Sequence, residues 1–176
     1  RWMGGPMDYT PGIFHMKLTQ FDPNKKEMVH TTLTKQLALY VVIFSPIQMA
    51  ADMPENYEAH LDAFKFIEDV AVNWDDTKIL EAEPGDYVTI ARKAKNTNDW
   101  FVGGITDENA RTSTIDLNFL DANKKYEATI YHDAEDAHYD SNPEVYVIEK
   151  KIVDNKTILK LKEAAGGGYA ISLKRM

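Results

Sequence analysis

The chain has no cysteine in its 176 residues, so it holds no disulfide framework and gives no reading of redox compartment. Basic residues are the minority charge, 20 Lys and Arg against 28 Asp and Glu, and the net charge is -8. That balance argues against a nucleic-acid or anionic-membrane partner, because gripping phosphates takes a Lys/Arg surface. A long apolar run is also missing. The one that begins at Leu37 is broken by Ser45, Pro46 and Gln48, short of the roughly 18 residues a spanning helix needs. No internal repeat, low-complexity tract or signal-peptide pattern appears, and the first residue is Arg1, which leads to the expectation that the chain is cut from something longer. What remains is ordinary globular composition, 44% hydrophobic and 27% charged. The length suits one domain and part of a second.

Residues 1–28 read as loop with one short extended piece, punctuated by Gly4, Gly5, Pro6, Pro11, Gly12 and Pro23. A helix comes next, N-capped by Thr31 or Thr32. Leu33, Leu37, Tyr40, Val41 and Phe44 mark one stripe of it, and Leu39, Val42, Ile43 and Ile47 mark the other side. A helix apolar all round needs cover on most faces. A second helix is expected with Asp52 as cap, Pro54 in its first turn, and Tyr57, Leu61, Phe64 and Ile67 as its buried stripe. From Val70 the period changes to two. Strands are predicted over 70–80, 87–93, 100–106, 112–119, 126–132, 146–153, 157–161 and 169–173, joined by turn chemistry such as Glu83-Pro84-Gly85 and Asp154-Asn155. Short strands that alternate apolar and polar residues indicate an antiparallel sandwich, with a boundary near 68–72.

Several groups of residues can carry chemistry. In MDYTPG (7–12), Asp8 can grip sugar hydroxyls and Tyr9 can stack on a sugar's C–H face, while the prolines and glycine stiffen the loop; a structural turn with a capping Asp is the plainer reading of the spacing alone. HDAEDAHYD (132–140) offers oxygen and imidazole ligands but lacks EF-hand spacing, and reads better as a solvated loop. TDENAR (106–111) reads as a hairpin loop with a local ion pair rather than an acid/base set of Asp107, Glu108 and Arg111. Gly103-Gly104 suggests a bulge or a close backbone approach. The triple glycine at 166–168 reads as a flexible turn, since no Lys-Ser/Thr and no helix come after it as in a phosphate loop. The five histidines at 15, 30, 60, 132 and 138 show no ligand spacing, and no nucleophile triad order stands out.

The blocks GGPMDYTPGIF, QLALYVVIFSPIQMAADMPENY, GDYVTIARK, WFVGGITDENARTSTIDLNFL, KYEATIYHDA and AAGGGYAISL run in order from residue 4 to 173. Across them the chain resembles the C-terminal part of glycoside hydrolase family 97, a family of bacterial α-glucosidases and α-galactosidases. The resemblance implies a mainly β chain: a C-terminal antiparallel β-sandwich, associated with oligomerisation, at residues 70–176. Before it, at 1–69, would come the last strand, loop and closing helices of a (β/α)₈ barrel. Asp8 and Tyr9 would then sit at the C-terminal end of a barrel strand, where barrel active sites lie, as substrate contacts. The family's catalytic carboxylates and its Ca²⁺-binding glutamates map outside this chain, so no catalytic or metal residue is assigned within it.

The implied function is therefore that of a structural, oligomerising part of an exo-acting α-glycosidase, inactive alone. Its partners would be the parent's barrel and N-terminal sandwich and further copies of itself, and the parent would be periplasmic. Two rivals stand beside this. One is a carbohydrate-binding module using Trp74, Trp100 and Tyr139, with Trp100 more simply a core residue; the other is a protein-interaction sandwich. Without its barrel neighbours, the apolar helix is expected to pack on the sandwich, meet another copy or stay exposed. Residues 1–28 are expected to be poorly ordered or swapped onto a neighbour.

Overall fold

A computed structural model describes residues 8–20 and 22–176. The predicted punctuation at Gly4, Gly5 and Pro6, and the first part of the expected barrel strand, lie outside the described residues. Eight strands form the bulk of the fold: β1 (Trp74–Glu83), β2 (Tyr87–Ala94), β3 (Trp100–Thr106), β4 (Arg111–Asp116), β5 (Tyr126–Asp133), β6 (Tyr146–Val153), β7 (Ile158–Glu163) and β8 (Gly168–Arg175). All pair antiparallel, in a six-stranded sheet of order β1-β2-β3-β8-β5-β6 and a two-stranded sheet of β4 and β7.

The expected sandwich is there, but its layers are unequal, for reasons written in the strand sequences. β4 and β7 alternate buried and exposed residues, so one face of their small sheet is wet. β3 (WFVGGIT) and β8 (GYAISLKR) are buried along almost their whole lengths. Such strands need cover on both faces. Trp100, Val102, Tyr169 and Ile171 point into the sandwich with Ile115, Leu159 and Leu161. Phe101, Ala170 and Tyr131 point the other way, into a second core.

That second core is the helical layer, comprising α1 (Leu33–Val42), α2 (Pro54–Glu58) and α3 (Leu61–Asp69). Helix α1 lies across β3 and β8. Thr32 caps it, its hydroxyl accepting from Lys35 N. Leu33, Leu37, Ala38, Tyr40 and Val41 are buried, while Leu39, Val42, Ile43 and Phe44 are only half-buried. Of the three fates expected for the apolar helix, packing on the sandwich accounts for one face. Gly103 permits the close approach: a Cβ there would stand 2.6 Å from the Ala38 carbonyl oxygen. On the other face of β3, a Cβ at Gly104 would fall inside the Tyr169 ring. The two glycines therefore serve close approach on both sides, with no bulge in the β2–β3 or β3–β8 register.

The second helix differs from its expected form. The backbone breaks at Ala59–His60, with His60 at φ -140° and ψ 45°, and gives two short helices. The break rotates the apolar face, so Ala63 and Phe66 are buried while Leu61, expected in the stripe, is 62% exposed. The N-cap of α2 is Met53 rather than Asp52, whose carboxylate is used elsewhere. The first strand begins four residues later than expected, because Val70 closes α3.

Asp133, at the end of β5, locks the layers together. Its carboxylate accepts from the Thr34 hydroxyl of α1 and from the amides of Ala164 (2.8 Å), just after β7, and Gly168 (2.9 Å), the first residue of β8. The predicted flexible turn at 166–168 is in fact packed. All three glycines are buried, Gly166 N donates to Asp107 O at 2.7 Å, and Thr106 N donates to Gly167 O at 3.1 Å. There is no room for side chains against Asp133 and Tyr139, which is why glycine stands there. The Gly103→Val substitution should destabilise the chain by about 1–3 kcal/mol through overpacking against α1. Urea unfolding monitored by circular dichroism checks this; an unchanged midpoint would mean that α1 does not bear on β3.

Candidate functional site

The segment carrying Asp8 and Tyr9 lies at the edge of the helical layer. Asp8 is exposed and Tyr9 half-buried. Tyr9 forms a parallel bridge with Gln48: Tyr9 N donates to Ile47 O (3.2 Å), Met49 N to Tyr9 O (3.0 Å) and Ala51 N to Pro11 O (3.0 Å). Ile47, Met49 and Met53, on the paired segment and just beyond it, are each more than 40% exposed.

Side chains of the helices hold the segment after Tyr9 in place. The Tyr40 hydroxyl lies 3.1 Å from Pro11 O and 3.0 Å from Met49 O, so it ties both paired segments to α1. Burial pushes its pKa well above the ordinary phenol value, and the hydroxyl stays a donor. Gln36 Oε1 accepts from Gly12 N (3.0 Å), and the Tyr57 hydroxyl donates to Gly12 O (2.7 Å). Gly12 has φ +88°, and a Cβ there would collide with the Tyr40 hydroxyl, so no other residue fits. Asp52 Oδ2 accepts from Phe14 N (2.7 Å) and His15 N (2.8 Å). Burial pushes this carboxyl up, but the His15, Phe14 and Met53 amides and the Asn56 side chain outweigh it and hold it below the usual carboxylate range. Phe14 and Met16 are fully buried. Residues 23–27 are exposed, whereas residues 9–16 are thus built into the helical layer. Polar side chains arriving from α1, α2 and the segment before α2, at separations of 23 residues and more, are the reason.

The other sequence candidates separate. Within 132–140, Glu135, Asp136 and Asp140 are exposed or half-exposed as a solvated loop requires, but Asp133 is the buried lock between the layers. Among the described residues no group of three His, Asp or Glu side chains is arranged to hold a metal ion. The 106–111 segment is a crossover from the large sheet to the small one, not a hairpin. Asp107 accepts from Asn109 N (2.9 Å), while Arg111 reaches away from the loop, placing its guanidinium 3.0 Å over the Tyr87 ring and near Glu163 and Glu81. Trp100 is 4% exposed inside the sandwich against Phe119, and Trp74 packs on Phe101 across the sheet from it. They form no shared platform with Tyr139, which stacks on His138, and the module reading loses its aromatic surface.

Sequence reasoning passed over Glu163. It ends β7 on the core-facing register of Leu159 and Leu161 and is 2% exposed. Its Oε1 accepts from the Ser113 hydroxyl at 2.6 Å. Burial pushes its pKa up to about 7, with Ser113 and Arg111 pulling the other way. The alternation in ILKLKE, with an acid on the buried phase, was the signal available. The folded chain holds this proton more tightly than an unfolded one, so the contribution is greatest below about pH 4.5 and is lost as pH rises through 7. The Glu163→Gln substitution should remove about 1–3 kcal/mol of that fall between pH 4.5 and 7.5, read as the difference between the two chains' urea unfolding free energies.

An antiparallel sandwich with a helical layer on the outer face of its large sheet is the class this fold defines. The C-terminal domain described as "Glycosyl-hydrolase 97 C-terminal, oligomerisation" matches residues 73–174, and the chain belongs to glycoside hydrolase family 97. It is 37% identical to a retaining alpha-galactosidase of Bacteroides thetaiotaomicron over 99% of its own length and 26% of that protein's. A family 97 enzyme from Pseudoalteromonas sp. strain K8, solved in complex with panose, is 47% identical, with a TM-score of 0.91 over 98% of this chain and 27% of that one. A beta-arabinopyranosidase shares the fold at 21% identity, with a TM-score of 0.76. The chain thus spans about a quarter of the length of the relatives it matches.

Proposed function

We propose that this chain is the C-terminal part of an exo-acting α-glycosidase: residues 1–69 close a catalytic barrel, and residues 70–176 brace it and support assembly. The observation that carries this is the edge of the helical layer. Residues 11–15 are pinned by Gln36, Tyr40, Asp52 and Tyr57, yet Asp8 stays exposed, and so do Ile47 and Met49 on the segment that pairs with Tyr9. Side chains of that kind, with the half-buried far side of α1, suit cover by the rest of a barrel. Asp8 then faces a substrate as a hydrogen-bonding carboxylate and Tyr9 as an aromatic wall.

The chain supplies no complete hydrolytic pair on this reading. Glycoside hydrolysis needs two carboxyl groups flanking the scissile bond, roughly 5–10 Å apart. Those, and the family's Ca²⁺ ligands, would come from outside the chain, and the parent's setting would be periplasmic. The relatives' names point to α-galactosides for the Bacteroides alpha-galactosidase and to panose and acarbose for the Pseudoalteromonas enzyme. Both aryl α-glucoside and aryl α-galactoside are therefore the assay substrates. The chain alone should release no nitrophenol from either. In the whole parent, Asp8→Ala should lower kcat/KM at least tenfold, about 1.4 kcal/mol, with circular dichroism unchanged. Full activity in that variant would remove Asp8 from the site.

The assembly side is a homo-oligomer, supported by the family domain's description and by the exposed apolar side chains. Light scattering of the chain at micromolar concentration should show a species larger than one copy; a strict monomer would count against it.

A further inference from the structure

The two outermost strands of the large sheet, β1 and β6, have no strand beyond them among the described residues, and each presents a row of backbone groups to its surroundings. The two edges differ in kind. The register of β1 on β2 shifts twice, between Trp74 and Asp76 and between Ile79 and Glu81, and such irregularities turn an edge away from further pairing. β6 keeps an unbroken register with β5 from Tyr146 to Val153 and carries no proline. The bond from Ala134 N to Val145 O (3.4 Å) sets its phase. Val147, Glu149 and Lys151 bond to β5, so the N–H and C=O groups of Ile148, Lys150 and Ile152 point off the sheet. No group among the described residues takes them up. The strand is also apolar at this edge, with Ile152 55% and Val147 39% exposed.

The sequence of β6, YVIEKKIV, is complementary to itself. A two-fold axis through Lys150 lays the strand antiparallel beside a second copy and keeps the two faces of the sheet in common. Ile148 then stands opposite Ile152 of the second copy, and Glu149 opposite Lys151 of the second copy, each pair occurring on both sides of the axis. Lys150 meets its own counterpart on the axis, the one like-charged pair in the match. Moving the axis by one residue either way loses the match, because Glu149 would face Glu149 or Lys151 would face Lys151. Lysines on an edge discourage indiscriminate pairing, and here they also select a single register. The faces continue as well: Ile148 packs toward the helical layer and Val153 toward the sandwich core, so a second copy extends both layers in step. A strand of unrelated sequence would have to bring this complement, whereas a second copy of the chain already carries it.

We propose that β6 is the surface through which two copies of this chain pair, edge to edge, joining their large sheets into one continuous sheet. The inference rests on the homo-oligomer proposed above and assigns its interface. Sedimentation equilibrium of the chain and of the whole parent, with amide hydrogen exchange at low and high concentration, tests it. A dimer is expected, in which the Ile148, Lys150 and Ile152 amides exchange about tenfold more slowly or slower still, with no such change along β1. Lys150→Pro removes the outward N–H on the axis and leaves the bonds to β5 in place; it should weaken the dimer by about tenfold or more with the circular dichroism spectrum unchanged. Glu149→Lys should weaken it by about tenfold, and adding Lys151→Glu to that variant should bring the affinity back to within about threefold. Where Lys150→Pro fails to fold, this charge exchange decides. A strict monomer would overturn the homo-oligomer and the interface together. A dimer that Lys150→Pro and Glu149→Lys leave intact, or protection confined to other strands, would overturn the interface alone. A whole parent that stays monomeric with its β6 amides protected would assign the edge to another part of the enzyme and would also overturn it.

Discussion

The structure depends on covering β3 and β8 from both sides. These central strands are apolar on both faces, and an antiparallel sheet with two such strands cannot leave either face wet. The small β4–β7 sheet covers one face and α1 the other. Packing α1 this close requires glycine at 103, and holding its N-terminal turn requires Asp133. The helical layer and the sandwich therefore share a sheet.

This arrangement explains how the helical layer and the sandwich hold one another in shape. α1 buries one face on the sheet and keeps a half-buried face outward, and the loop of residues 8–16 is tied to that same helix by Gln36 and Tyr40. Each buried aliphatic side chain of α1 contributes about 1.5–3 kcal/mol, and these come from contacts the chain makes with itself. Ile47 and Met49 stay exposed where residues 8–11 meet 47–51, and Leu61, Ile79, Ile152 and Ile158 are exposed elsewhere on the surface.

The polar interior is divided in a similar way. Asp133 spends both carboxylate oxygens on amides and a hydroxyl and serves as a lock. Glu163, on the neighbouring sheet, uses one oxygen on the Ser113 hydroxyl and leaves the other buried without a hydrogen bond. Burial raises the pKa of both carboxyls.

Much of this was legible in the residues themselves. Alternation in β4 and β7 marked strands with one wet face, and Thr32 was one of the two caps expected for α1. Period and capping are local properties, written by neighbours a few residues apart. The break at His60, the sharing of β3 and β4 between two sheets, the reach of Arg111 away from its loop and the roles of Asp133 and Glu163 were decided only by tertiary packing. Each depends on partners dozens of residues distant, such as Thr34 with Asp133 or Ser113 with Glu163, and no local pattern encodes which remote group a buried carboxylate will meet.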